Sequence, residues 1–524
     1  MTRKFLGLVV LATMVGGCKK SMSAEYAGGS MMPAAGYGMT AASPSPSGES
    51  YAGVDENPVI AVADDARSTF AVDVDTASYS NVRRFLREGS APPADAVRIE
   101  ELVNYFDYDY REPTGTTPFS VTSEVGPCPW NPEHELVHLG LQGKHLAAAA
   151  VPPRNLVFLL DVSGSMQDPD KLPLMQRAMA LVAENLRPAD HVAIVVYAGA
   201  SGVVLEPTSG LAKSDILEAV LRLEAGGSTN GGEGIELAYR MAERHFNAKG
   251  INRVILATDG DFNVGVTDHK DLVRLIEAKR QGGVFLSVLG FGSGNLQDET
   301  MESLADKGNG NYAYIDSLAE ARKVLVTEAG STLVTIAKDV KVQVEFNPLE
   351  VASFRLIGYE NRILEHSDFN DDAKDAGEIG AGHSVTAIYE IARIGHGGDP
   401  KVDPHKYQRD GSTTAAARSG ELMTVKIRYK QPDGSDSALL SFPVQGEAES
   451  LAQTSQDFRF SAAVAEFGML LRDSAHRGNA NWADTRKLAI GALGEDPDGL
   501  RREFLAMLDA AAGLAGAPIA VAKD

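Results

Sequence analysis

Residues 151–333 alternate between short apolar runs and amphipathic stretches. Each run, such as residues 155–160, is apolar at nearly every position, which indicates a strand buried on both faces. The stretches between the runs repeat apolar residues every three or four positions, which indicates helices. The alternation predicts an α/β domain with a doubly wound, Rossmann-like and mainly parallel sheet. Its predicted strands are residues 155–160, 192–197, 253–258, 284–289 and 311–315, with a short edge strand at 202–205.

The segments on either side of this domain have a different period. Residues 117–150 and 337–446 alternate apolar and polar positions, which predicts antiparallel strands. We expect these two segments to pair into one β-sandwich, with the α/β domain inserted between them. Residues 61–116 and 447–524 show mostly helical spacing, and we expect a helical N-terminal module and a helical C-terminal region there.

The first residues have the pattern of a targeting segment. Arg3 and Lys4 precede an apolar run of about eleven residues, which suits a signal peptide and is too short to span a bilayer. The run ends in Val-Gly-Gly before Cys18, which resembles the lipobox of bacterial lipoproteins. The resemblance implies that residues 1–17 are removed, that Cys18 is acylated, and that the chain is anchored to the cell envelope. Lys19 favours the outer membrane in a cell that has two membranes. Residues 18–60, rich in Gly, Ser, Ala and Pro, read as a flexible tether.

The charge balance restricts the kinds of partner. Asp and Glu number 71 against 49 Lys and Arg, which gives a net charge of −22. Such a chain lacks the basic surface that nucleic-acid binding requires. With only two cysteines, no disulfide framework holds the fold together.

One motif carries specific chemistry. Asp161, Ser163 and Ser165 alternate directly after the first buried strand, where ligands of open parallel sheets bind. Two later segments at the same edge offer Thr229, in a glycine-rich turn, and Asp259, at the end of a buried strand. Hard oxygen donors of this kind suit Mg²⁺ or Mn²⁺.

These five residues match the metal-ion-dependent adhesion site (MIDAS) of von Willebrand factor type A domains. The resemblance implies that Ser163, Ser165 and Thr229 touch the metal directly and that Asp161 and Asp259 act mainly through water. It further implies that a partner protein supplies an Asp or Glu carboxylate as the sixth ligand. Residues 68–80 and 98–106 also resemble the N-terminal module of a family of bacterial type A lipoproteins that has an uncharacterised C-terminal region.

Two other motifs suggest enzymatic chemistry but have the wrong context. His134-Glu-Leu-Val-His138 fits a zinc-protease pattern, yet its surroundings predict a strand, on which residues four apart lie about 13 Å from each other. Residues 290–294 lack the last glycine of a dinucleotide-binding loop. We therefore expect a binding protein without catalytic activity. The alternatives are an envelope assembly protein whose metal only stabilises loops and, less favoured, a hydrolase.

Overall fold

The computed structural model describes residues 48–228, 231–260, 269–328, 333–395 and 414–517. The strands are β1 (Ile60–Ala61), β2 (Arg67–Ala71), β3 (Phe119–Pro127), β4 (His134–Gly143), β5 (Arg154–Asp161), β6 (His191–Tyr197), β7 (Ser201–Ser209), β8 (Ile251–Thr258), β9 (Phe285–Phe291), β10 (Tyr312–Ile315), β11 (Thr335–Phe346), β12 (Val351–Ile357), β13 (Gly377–Gly380), β14 (Ser384–Arg393), β15 (Glu421–Lys430) and β16 (Ser437–Gln445). The helices are α1 (Ala77–Arg87), α2 (Ile99–Asn104), α3 (Leu172–Asn185), α4 (Lys213–Leu221), α5 (Gly231–Arg244), α6 (His269–Gln281), α7 (Asp298–Lys307), α8 (Leu318–Arg322), α9 (Gln456–Arg472), α10 (Trp482–Ile490) and α11 (Leu500–Leu514).

The α/β domain is built on a six-stranded sheet of order β10-β9-β8-β5-β6-β7. Its strands are parallel, except that the edge strand β7 runs antiparallel to β6. Alternate residues of β5 face two separate cores: Phe158 packs with α3, α4 and α8, and Val157 packs with α5, α6 and α7. Helices therefore cover both faces of the sheet, and the predicted doubly wound fold is confirmed. Burial on both faces explains why its central strands are apolar at nearly every position.

Two antiparallel sheets flank this domain. One has the order β1-β12-β14-β4-β3, and the other has the order β13-β11-β15-β16 with β2 also paired to β11. Val137 of β4 and Val344 of β11 belong to one shared apolar core, so the two sheets pack face to face. β4, which precedes the α/β domain in sequence, pairs with β14, which follows it. This pairing is the one required if the α/β domain is inserted between the two strand segments. The residue limits inferred for the domains stay predictions.

A helical layer covers the outer face of the antiparallel sheet that contains β4 and β14. Leu136 of β4 and Ile388 of β14 share a core with α1, α2, α9, α10 and α11. The N-terminal module is not purely helical, because β2 joins the second sheet and places Phe70 in the sandwich core. Five residues offer too few alternating positions for a strand of this length to stand out in the sequence. Within the part of the chain that the structure describes, no helix has the length and apolar character needed to cross a membrane.

Candidate metal centre

Four of the five predicted metal ligands lie together at the carboxyl edge of the central sheet. Asp161 is the last residue of β5, and Asp259 directly follows the neighbouring parallel strand β8, whose Ala257 is in register with Leu160. Ser163 and Ser165 lie in the turn that leaves β5. The fifth residue, Thr229, lies outside the described residues.

The loop that leads towards Thr229 is tied to the Asp161 turn by two backbone hydrogen bonds. The Gly226 N–H donates to the Val162 carbonyl at 2.8 Å, and the Gly164 N–H donates to the Gly227 carbonyl at 3.1 Å. Gly227 has a φ of +86°, and a Cβ at this position would lie 3.2 Å from the backbone nitrogen of Gly199. The positive φ favours glycine here, and a side chain would also make a tight contact with Gly199.

The carboxylate of Asp161 is fully buried and accepts hydrogen bonds from the turn after β5 and from the two neighbouring strands. Its Oδ1 accepts the backbone N–H of Ser163 at 2.8 Å, and its Oδ2 accepts the Tyr197 hydroxyl at 3.0 Å and the Thr258 hydroxyl at 3.2 Å. Burial raises the pKa of Asp161 to about 6, although the hydrogen bonds to Ser163 oppose the increase and the nearby Asp259 adds to it. Tyr197 and Thr258 end the strands on either side of β5, and their strand-terminal positions are the signal that would have identified them.

The two serine hydroxyls have a spacing that suits a hard cation. Ser163 Oγ and Ser165 Oγ lie 2.9 Å apart. Two ligands at right angles on Mg²⁺, each at about 2.1 Å, would be about 3.0 Å apart. Ser163 is buried and Ser165 is exposed, so the site opens to solvent on the side of Ser165. The donor set therefore fits a hard divalent ion that keeps an accessible coordination position.

Lys171, which the sequence analysis did not identify, contacts the second carboxylate of the site. Its Nζ donates to Asp259 Oδ2 at 3.0 Å and to Asn295 Oδ1 at 3.0 Å, and both charged side chains are buried. Gly292 has a φ of +71°, and a Cβ there would overlap the Lys171 side chain. The glycines of residues 290–294, which partly fit a dinucleotide-binding loop, thus form a turn that accommodates this lysine. Asp161 and Asp259 outweigh Lys171 by one negative charge, which favours a bound cation.

The segment just before β1 packs beside the same turn. The Ser50 N–H donates to the Leu296 carbonyl at 2.8 Å, and the Ser50 carbonyl accepts the Asp298 N–H at 3.0 Å. Glu49 Oε1 accepts the backbone N–H of Gly294 at 2.7 Å, and its Oε2 pairs with Arg84 at 2.9 Å. Residues 48–60 were predicted to belong to the tether, but these contacts hold residues 48–51 against the domain. Hydrogen bonds to backbone groups leave no periodic pattern in a sequence.

The His134-Glu-Leu-Val-His138 motif lies on β4, as predicted. His134 Nδ1 is 2.6 Å from a carboxylate oxygen of Glu390, and His138 Nε2 is 2.9 Å from the Tyr110 hydroxyl. Burial lowers the pKa of His138 to about 4, so this imidazole is neutral in the folded protein. Within the described ranges, neither histidine belongs to a group of side chains placed to share a metal ion.

Comparisons with known proteins decide the family. The family model described as von Willebrand factor matches residues 45–138, the model of the von Willebrand factor type A domain matches residues 155–327, and a model described as uncharacterized protein YfbK, C-terminal, matches residues 331–514. The uncharacterized protein YfbK of Escherichia coli (strain K12) is 44% identical over 471 residues, which cover 88% of this chain and 81% of the relative. The chain belongs to this bacterial type A family. The resemblance inferred from the sequence is therefore confirmed.

More distant relatives in sequence match about a third of this chain. Inter-alpha-trypsin inhibitor heavy chain H3 of Homo sapiens is 28% identical over 180 residues, which cover 32% of this chain and 20% of that protein. The solved structure described as von Willebrand factor type A from Catenulispora acidiphila has a TM-score of 0.40 at 18% identity and covers 76% of this chain and 91% of that one. Type A domains commonly bind a divalent metal at a MIDAS and mediate protein binding through it.

Proposed function

We propose that this type A family member binds a protein partner through Mg²⁺ or Mn²⁺ at its MIDAS. Asp161, Ser163, Ser165, Thr229 and Asp259 would hold the ion, which supplies positive charge at the sheet edge. The observation that carries the proposal is the 2.9 Å spacing of the Ser163 and Ser165 hydroxyls, which lie beside two buried carboxylates. The site is open to solvent on the side of Ser165.

A partner with an exposed Asp or Glu suits this arrangement. If Asp161 and Asp259 reach the ion through water, the ion keeps much of its charge and attracts an anionic ligand. The net charge of −22 opposes an acidic partner at long range. A Debye length of about 8 Å in physiological salt screens most of this repulsion, so contact depends on the metal.

Anchoring to the envelope is the second part of the proposal. It rests on the lipobox-like sequence that ends at Cys18, which lies outside the described residues. Two or more acyl chains would hold the protein firmly at a membrane, in a bacterial outer membrane by preference.

A hydrolytic function is less well supported. Among the described residues, Thr69, His366 and Asp65 form a hydrogen-bonded chain, with 2.8 Å from Thr69 Oγ1 to His366 Nδ1 and 2.7 Å from His366 Nε2 to Asp65 Oδ2. The Thr69 residue is only 2% exposed and its hydroxyl also accepts a hydrogen bond from Gln343 at 3.0 Å. A nucleophile needs access to its substrate, so we interpret this chain of contacts as structural.

The test is capture of a partner from an envelope extract by the purified, immobilised protein. We expect capture in Mg²⁺ or Mn²⁺, release by EDTA, and loss of capture in the Asp161→Ala and Thr229→Ala variants. Asp168→Asn, which alters an exposed carboxylate in the same turn, is the matched control and should capture normally. Capture that is equal in EDTA and in both variants would exclude the metal as the binding group. A protein that binds Mg²⁺ but captures nothing would favour the assembly role instead.

A further inference from the structure

A second cluster of carboxylates is buried where the N-terminal module meets the rest of the protein. Asp73 follows β2, and Glu100 and Glu101 belong to α2. These three residues are 4%, 1% and 2% exposed. One carboxylate oxygen from each lies within 4.8 Å of the other two. Asp73 also forms a similar group with Asp75 and with Glu302 of α7.

Glu100 differs from its neighbours in its hydrogen bonding. Asp73 accepts the Asp75 backbone N–H at 3.0 Å, and Glu101 accepts the Ser78 backbone N–H at 2.8 Å. Neither carboxylate oxygen of Glu100 has a hydrogen-bond donor among the residues that the structure describes. This side chain is nevertheless buried and directed towards the other two carboxylates. A buried charge without such partners is costly unless it is paired or binds a metal.

The surrounding guanidinium groups are engaged with other carboxylates. Arg98 contacts Glu101 at 3.5 Å and Glu302 at 3.1 Å. The carboxylates in contact with Arg362 are Asp73, Asp75, Glu302 and Asp306, at distances between 2.5 and 3.5 Å. Arg472 is paired with Glu360 at 2.7 Å. Three guanidinium charges thus serve six carboxylates before Glu100 is counted, and the cluster keeps an excess of negative charge.

The backbone closes over Glu100 from the side of the sandwich. Gly358, directly after β12, has a φ of +77°, and a Cβ there would lie 2.7 Å from Glu100 Oε2. Only glycine allows this close approach. The Glu100 carboxylate is therefore enclosed between Gly358 and the other acidic side chains.

We propose that Asp73, Glu100 and Glu101 bind Ca²⁺ at a second cation site, separate from the MIDAS. All three offer carboxylate oxygens, which Ca²⁺ prefers at distances of about 2.3–2.6 Å. These oxygens lie within 4.8 Å of one another, so an ion with bonds of about 2.4 Å can bridge any two of them, and a point exists within about 2.8 Å of all three. The ion would join the segment after β2 to α2, and through Arg98 and Arg362 it would adjoin α7 of the type A domain.

A proton is the alternative means of neutralisation. Burial, strengthened by the nearby Glu360 carboxylate, raises the pKa of Glu100 to about 7. The two cases differ in how stability depends on calcium. A bound ion would stabilise the protein only when Ca²⁺ is supplied, whereas stabilisation by a proton would not depend on Ca²⁺.

The experiment counts Ca²⁺ bound to the purified full chain carrying Asp161→Asn, which disables the MIDAS. Equilibrium dialysis after chelator treatment should detect a bound Ca²⁺, and the melting temperature should rise with Ca²⁺. Adding Glu100→Gln should remove that ion and the calcium-dependent rise. Adding Glu133→Gln, at an exposed carboxylate, should leave both unchanged.

Three results would overturn the proposal. The first is the absence of Ca²⁺ binding by the Asp161→Asn protein, an observation that does not depend on how the Glu100 variant folds. The second is equal Ca²⁺ binding with and without Glu100→Gln. The third is a Glu100→Gln protein that melts higher than its parent while Ca²⁺ affects neither, which would show that a proton neutralises the cluster.

Discussion

Replacing Lys171 by methionine tests the electrostatics of the candidate metal centre. The change removes the ammonium group 3.0 Å from Asp259 and keeps an unbranched side chain of similar length. Lys171 is 4% exposed and Asp259 is fully buried, so solvent cannot replace the lost charge. Removing one partner of a buried ion pair costs about 3–5 kcal/mol. We expect a loss of this size in the free energy of unfolding when no metal is present.

Mg²⁺ should reduce this loss. An ion at the site returns positive charge to the vicinity of Asp259, and the absence of the Lys171 ammonium removes a repulsion that opposes the ion. The variant should therefore bind Mg²⁺ more tightly than the native protein does, and saturating Mg²⁺ should stabilise it more. The difference in unfolding free energy between the two proteins should be larger in EDTA than in Mg²⁺.

Urea unfolding followed by circular dichroism, in EDTA and in Mg²⁺, measures these differences. The control is Lys279→Met, which breaks the 2.6 Å pair between Lys279 and Glu243, whose side chains are 25% and 47% exposed. An exposed pair contributes less than about 1 kcal/mol, so the control should change little in either buffer. The reasoning would be refuted by an equal loss for Lys171→Met in both buffers, or by a loss no larger than that of Lys279→Met.

Three further predictions follow from other sites. Burial raises the pKa of Glu390, but contacts with His134 and Arg355 lower it by a larger amount, so that the pKa is about 2. The stability that this provides is present above about pH 4.5 and is lost as the pH falls towards 2. The difference in unfolding free energy between the native chain and Glu390→Gln, measured by urea unfolding, should therefore shrink by about 3 kcal/mol between pH 5 and pH 2. The purified protein should contain no stoichiometric zinc by elemental analysis, and one tightly bound zinc lost in His138→Ala would contradict the structural role of the motif. Cys18→Ser should abolish acylation and release the protein from membranes, and unchanged mass and membrane fractionation would argue against a lipid anchor.

The sequence was most informative where a pattern repeats or a local motif is complete. The central strands are buried on both faces, so each leaves a continuous apolar run, and the helices between them leave a second period. The carboxyl ends of parallel strands meet at one edge, which allowed Asp161 and Asp259 to be grouped. These residues are far apart in the sequence: Thr258, directly before Asp259, is 97 residues from Asp161. Such inferences need only local periodicity and the topology of a parallel sheet.

The features that were missed depend on contacts between distant segments. Lys171 lies beside Asp259 because the turn containing Gly292 leaves room for it, and no local pattern reports that space. The carboxylate cluster draws Asp73 from a loop and Glu100 from a short helix, in surroundings where acidic residues usually face solvent. Glu49 is held by Arg84 and by the backbone of a turn 245 residues away, within a stretch whose composition suggests a linker.

The measurement that tests the account most directly is Mg²⁺ binding at the edge of the central sheet, by titration calorimetry. The native chain and Asp168→Asn should bind an ion that is lost in both Asp161→Asn and Thr229→Ala, while circular dichroism shows all four proteins to be folded. Mg²⁺ binding of native affinity in both Asp161→Asn and Thr229→Ala would contradict the account, because the ion would then lie elsewhere.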